Sequence, residues 1–219
     1  MVDRIIDLYR SYISHVVMVV SPPFVDEARR RMAMNNVPGT VHVQERPTGM
    51  LDAVLLARQT VENSDAERVW ITWCDQVAIH PLTAARLAAY SDEQAVAPVI
   101  LPVACRTTPY IHLQRDAAGR IVRILQRREG DAMPEIGESD AGLFSLSRTA
   151  FVEQLPRYAA SVDTGAATGE RNLLPFIPWI AMSSDVVTFP VHDEMEAVGV
   201  NTPQELTAVE AYLAARADV

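Results

Sequence analysis

The chain of 219 residues contains no lysine; all 19 of its basic residues are arginine. A phosphate-loop lysine, a Schiff-base lysine and a lysine general base are therefore excluded, whatever the fold. Cysteine is almost absent as well, with only Cys74 and Cys105. Two thiols cannot build a disulfide framework or a zinc ribbon, and their strand-like surroundings read as reduced, buried side chains. The five histidines, His15, His42, His80, His112 and His192, show neither H-x-x-x-H nor H-E-x-x-H spacing, so no zinc site is expected. Long apolar runs are missing too, since Val16–Val20 is far short of a membrane span. Asp3, Arg4 and Asp7 interrupt the N-terminus in a way a signal peptide does not tolerate. A cytoplasmic chain without a membrane partner is the resulting expectation. Positive charge is in deficit, at a formal net −9, the wrong sign for a non-specific nucleic-acid surface.

Apolar residues, by contrast, make up 49% of the chain, enough for a full core and against intrinsic disorder. One domain over 1–219 is expected. Residues 3–13 carry apolar side chains at helical spacing, and Val16–Val20 reads as a strand stopped by Ser21-Pro22-Pro23. Next come a charged helix at about 24–35, a short strand at Val41–Val43 and a helix over 50–62. The apolar run Val69–Cys74 predicts a strand ending at Asp75, before a helix opening near Pro81. This alternation implies parallel strands with covering helices. The second half changes character. Val96–Val103, Tyr110–Arg115 and Ile121–Gln126 read as strands, the last two joined as a hairpin by Asp116–Gly119. Gly142–Leu146 is a further strand, capped by Ser147 into a helix. A loop at 163–169, a helix at about 171–182, a strand at Val186–Pro190 and a helix from Pro203 complete the pattern.

Two polar residues stand out at the ends of strand-like segments. Asp75 closes the Val69–Cys74 run, and Asn201 precedes a helix start in which Thr202, Pro203 and Glu205 supply a hydroxyl cap, a first-turn proline and a reciprocal carboxylate. An acid and an amide at two strand ends could converge on one divalent cation in the crevice of an α/β sheet. Asp75 can also be read as a turn residue, and Asn201 as no more than the residue before a helix cap.

Five pieces occur in order: Q-E-R-P-T-G-M-L-D-A, W-C-D-Q-V, G-R-I-V-R-I-L-Q, E-S-D-A-G-L-F and G-V-N-T. Together they resemble the sugar-phosphate nucleotidyltransferases, most closely the uridylyltransferase domain that makes UDP-N-acetylglucosamine. Molybdenum-cofactor guanylyltransferases and related cytidylyltransferases share that fold. The resemblance implies a Rossmann-like, GT-A-type three-layer α/β sandwich, with a mixed, mainly parallel sheet and an antiparallel hairpin insertion. It also implies Mg²⁺-dependent transfer of a nucleotidyl group from UTP or CTP to a small phosphate or phosphonate, releasing pyrophosphate. Such catalysis is mostly positioning and charge neutralisation. By motif, Asp75 and Asn201 would hold Mg²⁺, and Gln44 and Gly49, with Arg46 beside them, would meet the nucleotide. Gln126, Asp140 and Gly142 would border the second substrate.

The departures from the family pattern are specific. Its opening strand and Gly-rich basic loop are not seen, Met1 falling where the family's first helix begins. Met50 and Asp52 replace a threonine and a histidine, and Cys74 a glycine. Gln126 stands where a sugar-binding glutamate is expected, and Asp140 where an asparagine reads the sugar amide. A rival expectation is therefore a nucleotide-binding or regulatory subunit without turnover, or one completed by a partner chain. An open sheet edge is also a place a second copy could cover, as in a homodimer. Arg120, Arg123, Arg127 and Arg128 read either as phosphate ligands or as a solvated hairpin face. Asp193, Glu194 and Glu196 read as a solvated acidic run, and Gly165–Gly169 as a mobile loop near the substrate.

Overall fold

The computed structural model describes residues 1–217. Its elements in chain order begin with α1 (Val2–Tyr9), β1 (Val16–Val20), α2 (Val25–Asn35), β2 (Gly39–Val43), α3 (Met50–Leu55), α4 (Arg58–Glu62), β3 (Arg68–Thr72) and α5 (Pro81–Glu93). The second half holds β4 (Val99–Thr107), β5 (Ile111–Arg115), β6 (Ile121–Gln126), β7 (Ile136–Asp140), β8 (Leu143–Ser147), α6 (Leu155–Ala159), α7 (Phe176–Ala181), β9 (Val186–Pro190) and α8 (Pro203–Ala217). Among the described residues, no helix is long and apolar enough to cross a membrane.

β4 organises the molecule. Val99, Ile100, Leu101, Pro102, Val103 and Ala104 are all buried, the pattern of a strand covered on both faces. Because successive side chains alternate, Val99, Leu101 and Val103 face one core, shared with Leu51, Phe151, Leu155, Phe176 and Ile180 of the helical side. Ile100 and Ala104 face another, shared with Tyr9, Ala84, Leu87 and Phe189. Helices thus cover both faces of the sheet, giving the three layers of a Rossmann-like α/β sandwich.

The sheet is mixed. β4 pairs parallel with β9 along one edge, while β7 and β8 share its other edge, both antiparallel. β8 also pairs antiparallel with β3, so β3, β4 and β9 run the same way. β1 and β2 form a separate parallel pair, and β5 and β6 the expected antiparallel hairpin. The hand-over from β7 to β8 falls at Ala141-Gly142, with Gly142 at φ +66°.

Several boundaries shift for local reasons. α1 stops at Tyr9, where the chain turns and Tyr12 stacks on Trp70 with ring centroids 5.5 Å apart. The helix expected over 50–62 breaks into α3 and α4, because Leu56 N is shared between Asp52 O and Ala53 O and Ala57 N bonds to Val54 O, three residues back. The helix expected at about 171–182 starts at Phe176, since the Arg171 backbone is already committed to Thr48 and Leu51. Ser147 does cap the following turn, its hydroxyl accepting from Ala150 N at 3.2 Å. Both cysteines are exposed, against the expectation of buried thiols. Cys74 has left the strand for a turn, and Cys105 lies on β4 beyond its buried stretch.

Candidate functional site

β3 ends at Thr72, and Trp73-Cys74-Asp75 turns away, so Asp75 follows the strand rather than closing it. Thr72 is paired with Leu143, and that register sets Gly142 beside the same turn. From the opposite direction comes 197–201, whose Val200 N donates to Asp75 O at 3.1 Å. This one bond fixes Asn201 next to Asp75. The segment before Asn201 is extended but not a strand.

The side chains converge over Gly199. A Cβ built there would lie 2.8 Å from Asp75 Oδ2, 3.2 Å from Asn201 Nδ2 and 3.3 Å from Gln76 Nε2. Gln76 in turn leans on Gly142, where a Cβ would be 2.7 Å from its Cδ. Asp140 joins through the backbone, accepting from Gly142 N at 2.8 Å. Asp75, Asn201, Asp140 and Gly142 therefore form one contiguous group, with Gln76 in the middle.

Its electrostatics follow from burial. Asp75 has no hydrogen bond or ion pair from its side chain to another residue, among the described residues. Burial raises its carboxyl above the ordinary range, its own backbone amide opposes this, and the Glu205 charge adds to the rise. Burial pushes Asp140 up to about 6, against the pull of the Gly142 amide. No group of three or more His, Cys, Asp or Glu able to hold a metal occurs among the described residues. The groups that converge over Gly199, apart from the Asp140 carboxyl, are one carboxylate and two neutral amides, a set that suits a hard divalent cation completed by substrate phosphates.

Gln44, Gly49 and Arg46 form a second group. Gln44 directly follows β2, and its Nε2 donates to Gly49 O at 3.0 Å, closing the 44–49 loop on itself. Gly49, rather than Thr48, occupies the cap of α3. Its backbone, at φ +116°, packs directly on Arg171, whose N donates to Thr48 O at 2.9 Å. The Arg171 guanidinium pairs with Asp52 and donates to Ala159 O at 2.7 Å. Burial works against the Asp52 charge, but hydrogen bonds from Arg171 and Thr48 hold its carboxyl below the ordinary range. Arg46 is exposed on the outside of this loop.

Gln126 is buried at the end of β6, and its hydrogen bonds run through its backbone to Asp131. Among the described residues it makes none to Asp140 or Gly142. The turn after it ties instead to the 165–172 loop. Glu129 accepts from Thr168 Oγ1 at 2.6 Å and Asn172 Nδ2 at 3.0 Å, and Arg128 pairs with Glu170. Those bonds to Thr168, then Asn172, hold the Glu129 carboxyl down at about 2. The 165–169 segment is accordingly pinned. Arg120 and Arg123 pair with Asp116 and Asp131, and Arg127 donates to Thr108 O and Pro109 O. Intrachain partners thus engage all four hairpin arginines.

Two residues beside Asp75 and Asn201 escaped the sequence reading. Glu196, expected in a solvated run, is fully buried and accepts from His80 N (2.8 Å), His192 N (2.8 Å) and Asp193 N (2.9 Å). It fastens the segment leading to Asn201 onto the one leaving Asp75. The D-x-x-E spacing of Asp193 and Glu196, a capping box in the structure, was the available signal. The other is Gln76, for which the sequence offered none.

Residues 1–140 match the family profile described as a MobA-like NTP transferase domain. The chain is 25% identical over 219 residues to the bifunctional protein GlmU of Brevibacillus brevis, covering 99% of this chain and 46% of that protein. It is 34% identical over 105 residues to GlmU of Paraburkholderia phytofirmans, 46% of this chain and 22% of that protein. Against GlmU of Sorangium cellulosum it is 28% identical over 176 residues, 79% of this chain and 36% of that protein. The chain spans less than half the length of these curated relatives.

Proposed function

The chain belongs to the MobA-like NTP transferase domain family, and from that premise we propose that it moves a nucleotidyl group from UTP or CTP to a small phosphate or phosphonate acceptor. Mg²⁺ would neutralise charge on the triphosphate and polarise the α-phosphorus, with pyrophosphate as the leaving group. The observation that carries the reading is the convergence of Asp75 and Asn201 over Gly199, within reach of Gly142 and Asp140.

Each residue has a stated part. Asp75 supplies the anionic oxygen for the cation and Asn201 a neutral one. The loop from Gln44 to Gly49 receives the base, Gln44 offering its amide oxygen to the ring N–H of uracil or the amino group of cytosine. Arg46, exposed at the loop's rim, faces the phosphates as they arrive. Asp140 and Gly142 border the acceptor, with Gln126 as the remaining acceptor-side residue. No side-chain nucleophile is required, because the acceptor's own phosphate oxygen attacks and the protein holds it in line.

Pyrophosphate release from UTP and CTP, measured against a panel of small phosphates and phosphonates, tests the proposal. Turnover with Mg²⁺ that disappears in Asp75→Asn, with the melting temperature kept, is the expected result. Unchanged turnover in Asp75→Asn overturns it. Metal-dependent nucleotide binding with no turnover on any acceptor would favour the rival reading of a nucleotide-binding regulatory subunit.

A further inference from the structure

Gln76 is a buried polar side chain inside the candidate site to which the family pattern gives no part. It is 8% exposed, and its carbonyl oxygen Oε1 is buried with no hydrogen-bond partner. A buried carbonyl without a donor is destabilising, so such groups are rare unless something else uses them. Two glycines make room for this one. A Cβ at position 142 would come within 2.5 Å of Gln76 Cγ, and one at position 199 would lie 3.3 Å from its Nε2. A side chain at 142 would displace the amide from the Asp75–Asn201 pair, and one at 199 would crowd it.

We infer that Gln76 is a third oxygen ligand of the divalent cation held by Asp75 and Asn201, its amide turned so that the carbonyl faces them. The inference rests on the proposed function above. Oxygen and nitrogen of a side-chain amide have the same shape, and a half-turn about the last side-chain bond exchanges them without moving any other atom. As the chain stands, Gln76 Nε2 and Asp75 Oδ2 border the same space over Gly199, yet no hydrogen bond joins them. Turned over, the oxygen takes the nitrogen's place beside the carboxylate. With the Asn201 amide turned in the same way, since its Nδ2 now faces Gly199 and donates to the Gly199 carbonyl at 3.3 Å, one carboxylate and two amide carbonyls surround a single space, an all-oxygen set of low charge. Mg²⁺ and Mn²⁺ take such oxygen donors readily and complete their shell with water and phosphate.

The test is direct Mn²⁺ binding, read by the electron paramagnetic resonance of the free ion, on the whole chain and three variants. Gln76→Met keeps the length and fills the same cradle without a donor atom. It is expected to bind Mn²⁺ about tenfold more weakly or worse, while melting no lower than wild type because the buried unpartnered carbonyl is gone. Gln76→Glu, with a charged oxygen in the same place, is expected to bind more tightly than wild type. Asp75→Asn is expected to lose binding. Wild-type Mn²⁺ affinity in Gln76→Met, with binding lost in Asp75→Asn, overturns this inference and leaves the proposed function standing. Affinity unchanged in Asp75→Asn, or no Mn²⁺ binding by wild type, overturns both.

Discussion

Replacing Gly49 with alanine strikes the joint between the nucleotide loop and the 171 segment, and its cost can be built from parts. At φ +116° and ψ 168° the residue occupies a backbone region open essentially to glycine, where a side chain costs about 1–3 kcal/mol. The added Cβ would also lie 2.6 Å from Arg171 N and press on its carbonyl oxygen. Both are backbone atoms that no rotamer change can move, and overpacking of this kind costs about 1–3 kcal/mol more. Separating the segments would further weaken Leu51 N to Arg171 O (3.2 Å) and Arg171 N to Thr48 O (2.9 Å), each worth about 1 kcal/mol. The sum is roughly 4–8 kcal/mol. Gly119→Ala is the control: it also carries positive φ, +82°, but has no atom within 4 Å of the new methyl, so it bears only the conformational cost of about 1–2 kcal/mol. At this chain length each kcal/mol moves the melting temperature by about 2–4 °C. Thermal unfolding should therefore place Gly49→Ala roughly 10–30 °C below wild type and well below Gly119→Ala. Equal melting temperatures for the two variants would refute the packing argument.

Three further outcomes are expected. Asp140, pushed up to about 6 by burial, favours the fold while protonated. That contribution is complete below its unfolded value near 4 and is lost as pH rises through 6. Between pH 4 and 7, wild type should lose roughly 3 kcal/mol relative to Asp140→Asn in denaturant unfolding; parallel curves would contradict this. Glu196→Ala strips the acceptor from three backbone amides and should destabilise the chain by about 3 kcal/mol or more, whereas a loss below about 1 kcal/mol would deny its fastening role. Gly199→Ala meets only the ends of flexible side chains. It should melt within a few degrees of wild type yet lose Mn²⁺ binding, and retained binding would show that the space over Gly199 is not the cation's.

Sequence legibility tracked the range of the interactions involved. β4 was readable because a strand covered on both faces needs an unbroken apolar run, and residues 99–103 supply one. The β5–β6 hairpin was readable because 116–119 is a local turn, with Asp116 accepting from Ala118 and Arg120. The Asp75–Asn201 pairing came through the ordered motifs, and the structure brings the two together through Val200 N. The end of β3 was misplaced because Trp73 and Cys74 are apolar by composition but lie in a turn, where hydropathy cannot separate strand from bend. Arg171 was missed as a joint because its role depends on its backbone meeting Gly49 across 122 positions, and nothing in either segment alone announces it. Gln76 was invisible for the same reason, since only the approach of Gly142 and Gly199 in space makes its cradle.

Calorimetric titration of each nucleoside triphosphate, first with Mg²⁺ and then with EDTA, tests the central claim most directly. Saturable binding of UTP or CTP that requires Mg²⁺ and is lost in Asp75→Asn is the predicted result. Binding that ignores EDTA, or that survives Asp75→Asn unchanged, would contradict a cation-centred nucleotide site at the end of β3.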